Sequence, residues 1–538
     1  MARTDELCRS YLDLAWHFDP AAATAAGVRR YDDRLGAYDA DSVRQHLAAF
    51  RSLAGAVEQL EVGELADEID RTYLLDTIRT AVFRLEHERP HVRNPGFWLS
   101  HLFHAFHGLL KRRDAGLPER ALAALGRLQA TPAFLTAAAE TLETPPRVLV
   151  ESARRMIGGG LALLGEVEAV FGPVVAAEDA EAFREAVREA RAAVERFGGW
   201  VEGLEGDAPE AGFAVGEEQF NRRLRHQHAL RSSAPELWRY GRHLIEEVEG
   251  ELAELAHALD PCRHWRDLVE RLRAEAPVGS DLVDEYRAEM ERARRFVEER
   301  ELVSVPEARL EVVETPGFFR PLVPFAAYDG PGAFSEDRTG YFYVTTPDRS
   351  PGAAGSARGT HSRHEIAVTA LHEGYPGHHL QRVTALGLES EVRRNLWTPL
   401  TVEGWALYCE EMMGEEGFYA SLEERLFQRV NLLWRATRIV LDVGLHTRGM
   451  TPAEAVDFML ERLPIAPENA WAEVRRYCAW PAYQLCYAVG RREIRALRQA
   501  FERRAGSAFS LRRFHDELLG YGGLPVSLIR WGMGLDES

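Results

Sequence analysis

From Asp5 to about Arg300, apolar residues recur at spacings of three and four between Ala, Glu and Arg, as in Arg120 to Leu128 and Ala180 to Phe197. That period predicts long amphipathic helices packed through their apolar stripes. Pro and Gly clusters around Arg89 to Gly96, Thr144 to Arg147 and Glu205 to Gly212 interrupt it, and helix breaks are expected there. Between Glu301 and Gly359 the pattern changes to Pro, Gly and aromatic residues, with short runs at Leu310 to Val313 and Tyr341 to Thr346 that predict strands. Ser350 to Gly359, rich in Gly, Ala and Ser, predicts a flexible loop placed to act as a lid. Helices resume at Ser362, where Ser362 and Glu365 have the spacing of a capping box. No fixed-period repeat is found. The expected fold is mainly α: a large helical bundle with a small β-sheet beside one helix, split into an N-terminal helical lobe (1–300) and a second lobe with the strands and later helices (301–538).

Composition narrows the function. The formal net charge is −19 and the basic residues are interleaved with acids, which argues against nucleic acid as the partner. No stretch reads as long and apolar enough to span a bilayer, and the first residues, MARTDELCRS, carry no apolar signal core. A cytoplasmic location without a membrane partner is therefore expected. Five cysteines (Cys8, Cys262, Cys409, Cys478 and Cys486) show no CxxC spacing, so neither a disulfide framework nor a Cys-rich zinc site is predicted.

The chemistry concentrates in His372-Glu373-Gly374-Tyr375-Pro376-Gly377-His378-His379. In the HExxH pattern two imidazoles one helical turn apart, roughly 6 Å along the axis, reach one metal ion while the Glu activates water. Here the i+4 position holds Pro376, which cannot donate to the His372 carbonyl, so a bulge is expected at Pro376-Gly377. On a straight helix His378 would point about 120° away from His372, and His379 would lie about 10.5 Å further along the axis. A two-residue bulge returns His378 to the ion; His379 stays as the alternative. A catalytic zinc takes a third protein ligand, and Glu403 in TVEGWALYCEEM is the candidate, with Glu410 two turns later placed to orient a ligand His. His101, His104 and His107 spread over a wide arc, and His226 with His228 lacks a third partner; both sets read as structural or pocket-lining.

Four stretches carry a family resemblance: HEGYPGHHLQ (His372 to Gln381), EGWALYCE (Glu403 to Glu410), RYCAWPAYQLCYAVG (Arg476 to Gly490) and FHDELLGYGGLPVSLI (Phe514 to Ile529). Together they resemble the bacterial proteins of the domain of unknown function 885 family, with weaker similarity from Pro316 to Gly332. That family looks like a distant relative of the thimet-oligopeptidase type of zinc peptidase. The resemblance implies a zincin-like, largely α-helical bowl with the metal at the floor of a channel. It also implies a C-terminal helix that supplies oxyanion donors. The matching region offers Tyr487 first, then Tyr483 and Tyr477 as substrate-binding groups, Arg476 as a carboxylate anchor, and His515 further on.

The reading is therefore a zinc-dependent hydrolase of amide or peptide bonds in short peptides or small amides. His372, His378 and Glu403 would hold Zn2+, and Glu373 would serve as general base. Two rivals stand beside it: a biosynthetic metalloenzyme acting on an amino-acid-like metabolite, and a non-catalytic helical binding protein.

Overall fold

The computed structural model describes residues 3–204, 209, 212–275, 282–316, 325–346 and 362–535. The predicted loop Ser350 to Gly359 lies outside them. Among the described residues the protein is mainly helical with one three-stranded sheet. It divides into two compact units, residues 1–215 with 331–338, and residues 216–330 with 339–538. The division falls well before the boundary expected at residue 300. The reason is packing: helix Ala234–Leu259 lies along helix Leu422–Thr447 so closely that a Cβ on Gly241 would come within 2.9 Å of the Ile439 Cβ. Helical periodicity reports that a stripe is buried, not against what.

In the first unit, helices Pro95–Lys111, Leu117–Thr141, Arg147–Phe171 and Ala180–Leu204 pack on one another. The fully buried Arg127 ties them to the preceding segment through Thr24 Oγ1 (2.7 Å) and the Arg34 carbonyl (3.1 Å). The stretch Arg147–Val174 is long and apolar enough to cross a membrane by length and composition, which corrects the expectation that none is. Within the unit it packs against helices Pro95–Lys111, Leu117–Thr141 and Ala180–Leu204, and Gly160 lets the Phe103 ring seat on its backbone.

The second unit carries the sheet. Strands β1 (Leu310–Glu314), β2 (Ala326–Asp329) and β3 (Gly340–Val344) lie in the order β1-β3-β2. β1 runs parallel to β3 with Leu310 opposite Gly340, and β2 antiparallel with Ala326 opposite Val344. β2 was not expected: AAYD is short and half of it is Ala, so its pairing rather than its propensity makes it a strand. Val312, Phe342 and Val344 pack on Tyr286 and Met290 of helix Leu282–Glu299 and on Ile366 and Ala370 of helix Arg363–Glu373. The sheet thereby fixes the latter, here called the motif helix.

The motif helix packs against Leu422–Thr447 and Pro399–Glu415, the latter here called the glutamate helix, and Cys486–Ala505 packs in turn on the glutamate helix. They approach through glycines, for a Cβ on Gly404 would lie 2.5 Å from the Gly490 Cα, and one on Gly490 only 1.9 Å from the Leu400 carbonyl oxygen. A buried fork locks the pair, with Arg491 Nε and Nη2 donating to Glu411 at 2.6 and 2.7 Å. Burial opposes charge on Glu411, but Arg491 and Arg495 outweigh it and hold the carboxyl down to about 2.

Glu411→Gln is expected to cost about 3–5 kcal/mol at pH 7, because the partly desolvated Arg491 loses its counter-charge. A depressed carboxyl stabilises the fold above its unfolded value, about 4.3, and that contribution fades as pH falls through the folded value near 2. Urea unfolding should accordingly show the gap between wild type and variant narrowing below pH 4; a gap that stays constant down to pH 2 would contradict the assignment.

Candidate metal centre

The motif helix stops at Glu373, Gly374 leaves helical geometry, and a new helix begins at His378 and runs to Leu386. The expected bulge is therefore a full break between two helices, spanning a cis Tyr375-Pro376 peptide. The chain folds back on the end of the first helix, where the Gly377 N–H donates to the Leu371 carbonyl at 3.0 Å. A Cβ on Gly377 would fall 2.0 Å from the His372 carbonyl oxygen, so only glycine fits this return. Trp405 of the glutamate helix clamps the turn, its Nε1–H donating to the Pro376 carbonyl at 2.8 Å. The Ser362–Glu365 capping box does not form: Ser362 makes no side-chain cap bond, and Glu365 is drawn to Arg273 at 2.6 Å.

Across the break His372, His378 and Glu403 converge, their donor atoms all within 4.8 Å of one another. His378 Nε2 lies 3.4 Å and His372 Nε2 3.7 Å from Glu403 Oε2. Tetrahedral ligands with bonds of about 2.1 Å sit roughly 3.4 Å apart, so the set fits a zinc-sized ion with small adjustment. Among the described residues it is the one His, Cys, Asp and Glu group so arranged. His379 is not part of it. It turns to the sheet, where Nδ1 meets the Tyr328 hydroxyl at 3.1 Å, and burial with the nearby Arg294 charge pushes it down to about 4.

The far side of His372 is held as well. Its Nδ1 lies 2.8 Å from Oε1 of the fully buried Glu410, an arrangement that fixes the ring and leaves Nε2 facing Glu403. Burial opposes charge on His372, but the hydrogen bonds to Glu403 and Glu410 and the Glu410 and Glu373 charges prevail and raise it to about 9. Glu403 is held well below the ordinary carboxylate range against the cost of burial, by His372 and His378. A donor set with this field favours positive charge at its centre. Glu373 sits at the end of the motif helix, half-buried and outside the donor trio.

The opposite wall comes from the C-terminal segment. Tyr483 donates to Glu403 Oε1 at 3.0 Å, leaving Oε2 toward the histidines. The Tyr487 ring lies nearly parallel to His372 with centroids 6.5 Å apart, and its pKa is raised by burial and then by Glu403. Arg438 lies 4.8 Å over that ring and also donates to Tyr477 Oη at 3.0 Å and to Glu473 at 3.1 Å. Tyr477 is fully buried with its hydroxyl committed to Glu473 at 2.7 Å, so the structure places it inside the wall and not on a substrate surface. Arg476 shares Glu473 at 2.7 Å and is part-exposed beside Trp480.

His515 is buried between the Tyr408 hydroxyl (2.9 Å) and the Leu302 carbonyl (2.6 Å), away from the trio. His101 and His104 bond the carbonyls one turn back in their own helix, at 2.7 and 2.6 Å. Sequence reasoning missed the Trp405 clamp, the Arg438–Glu473 pair and the sheet contact of His379. Glu473 alone left a trace, standing one helical turn before Arg476 and Tyr477.

The chain matches, over residues 20–533, the model of a family described as "Bacterial protein of unknown function (DUF885)". No curated protein matches it. Two solved structures share the fold: a "putative lipoprotein of unknown function" from Shewanella oneidensis (22% identity, 99% of this chain and 100% of that one, TM-score 0.83) and a "putative lipoprotein" from Colwellia psychrerythraea (18% identity, 99% of each chain, TM-score 0.84). Their description overturns the cytoplasmic expectation. The expectation rested on net composition and on the stretch MARTDELCRS, and the composition of a folded body does not report the compartment that holds it.

Gly377→Ala is expected to destabilise the protein by at least about 1–3 kcal/mol, since the added methyl must displace the His372 carbonyl. The same shift moves His372 relative to His378 and Glu403, and so disturbs the trio together with the turn. A thermal melt checks this: an alanine variant with an unchanged melting temperature would mean the return is not as tight as described.

Proposed function

The chain belongs to the bacterial family of unknown function DUF885, and from the geometry of its His372–His378–Glu403 centre we propose that it is a zinc-dependent hydrolase of amide or peptide bonds in short peptides or small amides. The observation that carries the reading is the convergence of two imidazoles and a carboxylate across a broken helix, with Glu410 orienting one of the imidazoles from behind. The fold is then zincin-like in its site, as the resemblance to the thimet-oligopeptidase type of peptidase implies.

His372, His378 and Glu403 would hold the zinc ion, which when bound would supply Lewis acidity to a carbonyl and to a water whose pKa it would bring to near 7. Glu373 accepts the proton of the attacking water as the C–O bond forms and the carbonyl electrons move to oxygen, then delivers that proton to the amine nitrogen, and the C–N bond breaks as the carbonyl is restored. Tyr487 stands beside His372 and donates its hydroxyl to the oxyanion. Tyr483 orients Glu403 and is set for substrate contact through its ring. Arg438 and Arg476 divide one carboxylate, Glu473, so the wall keeps a surplus of positive charge. Arg476 is the member open to solvent and anchors a substrate carboxylate. Trp480, half-exposed and 5.7 Å from the Tyr483 ring, gives the adjacent group an aromatic face.

Elemental analysis after mild dialysis should find about one zinc per chain, lost in His378→Ala and kept in His379→Ala. Zinc retained by both variants would remove His378 from the ligand set. Glu373→Gln should keep zinc yet lower turnover of a peptide library by about 10²- to 10⁴-fold, because an amide cannot take the proton. Equal turnover by this variant would sink the mechanism, and loss of its zinc would make Glu373 a ligand.

Arg476→Gln is expected to raise KM for peptides ending in a free carboxylate, with little change for their C-terminal amides. A KM that rises equally for both would remove Arg476 as the anchor.

A further inference from the structure

One buried group remains without a part in this chemistry although it touches both elements that build the third ligand. His228 is fully enclosed between the start of the glutamate helix and the turn before helix Cys486–Ala505. Its Nε2 lies 3.0 Å from the Ala482 carbonyl and its Nδ1 2.7 Å from Thr398 Oγ1. A carbonyl only accepts, so Nε2 carries the proton and Nδ1 takes the hydrogen bond of the Thr398 hydroxyl. Thr398 in turn caps the glutamate helix, its Oγ1 accepting from the Leu400 N–H at 3.3 Å. The result is a closed relay from the N-terminus of the helix that carries Glu403 to the backbone one residue before Tyr483.

That turn needs holding. Ala482 has φ of +62°, a left-handed conformation an alanine does not take unassisted. Buried Asp442 grips it from the other side, accepting from the Ala482 N–H at 3.0 Å and the Leu485 N–H at 3.2 Å. Cys486 Sγ closes the nest against the Ala482 carbonyl at 3.3 Å. The next residue after the strained alanine, Tyr483, is the one whose hydroxyl holds Glu403 Oε1.

We propose that His228 is a positioning residue for the metal centre: by joining Thr398 to the Ala482 carbonyl it fixes the distance between the Glu403 helix and Tyr483, and so presents Glu403 Oε2 to the ion. The proposal rests on the zinc reading above. His228 touches neither ion nor substrate and acts only through Tyr483 and Glu403. A residue that merely filled space would alter stability without any coupling to Tyr483.

The test is a double-mutant cycle read as zinc affinity, by competition of zinc alone with a chelator, on wild type, His228→Ala, Tyr483→Phe and the double variant, with folding checked by circular dichroism. Supporting groups of this kind typically contribute 10- to 100-fold to metal affinity. Both single variants are expected to weaken zinc by that order, and the double variant to bind no more weakly than Tyr483→Phe. His228→Gln, which keeps one donor and one acceptor, should recover part of the loss. Thr398→Val cuts the relay from its other end and should show the same coupling to Tyr483, which carries the test if His228→Ala does not fold. Losses that multiply independently in the double variant, or zinc affinity untouched by both His228→Ala and Thr398→Val, would overturn the positioning role while leaving the zinc site standing. A wild type that fails to bind zinc at all would instead overturn the metal reading, and this proposal with it.

Discussion

Everything at the centre depends on one return of the chain, the four residues in which the motif helix ends and the next begins. A continuous helix cannot aim His372 and His378 at the same point, because six residues of helix rotate the second away from the first. Ending the first helix at Gly374 and folding Gly377 onto its last carbonyls removes that constraint. Trp405 then ties the return to the helix that carries Glu403, so the same indole that fixes the turn also sets its distance from Glu403. The helix break costs hydrogen bonds, and what it provides is a convergence that regular geometry forbids.

The second requirement is close approach. Gly404 and Gly490 let the glutamate helix and the helix of Tyr487 touch backbone to backbone, one residue from Glu403 and three from Tyr487. The Glu411–Arg491 fork locks that approach one residue beyond Glu410. Acidic groups are thus used alternately along a single helix: Glu403 toward the histidines, Glu410 behind His372, and Glu411 outward to arginine. Their charges would repel in an apolar interior, and the cost of burial is offset by His372 and His378 at Glu403, by His372 and Arg435 at Glu410, and by Arg491 at Glu411.

Much of this was legible in the chain. The three-and-four spacing determined that the protein is mainly helical, and the β-branched and aromatic runs located β1 and β3. The HEGYPGHH segment and Glu403 were visible because His and Glu at short spacing, interrupted by Pro-Gly in an otherwise regular helix, form an unusual local pattern. Glu410 was visible as a helical neighbour of Glu403. Those features are local, and local geometry is what sequence period encodes.

What only the tertiary structure decided is how far the break goes and what meets across it. Period could not say that helices Glu217–His226 and Ala234–Leu259 pack with helix Leu422–Thr447, because a buried stripe carries no address. Nor could it say that Glu365 turns to Arg273 and leaves its cap unmade, that Tyr477 faces inward to Glu473, or that His379 belongs to Tyr328. His228, which in sequence had no third partner to make a ligand set, is a hydrogen-bonding residue because Thr398 and Ala482 are folded against it. Sequence by itself determined the identity of the donors and the helices that carry them; the direction in which each donor points was settled by contacts between residues tens to hundreds of positions apart, which no local pattern contains.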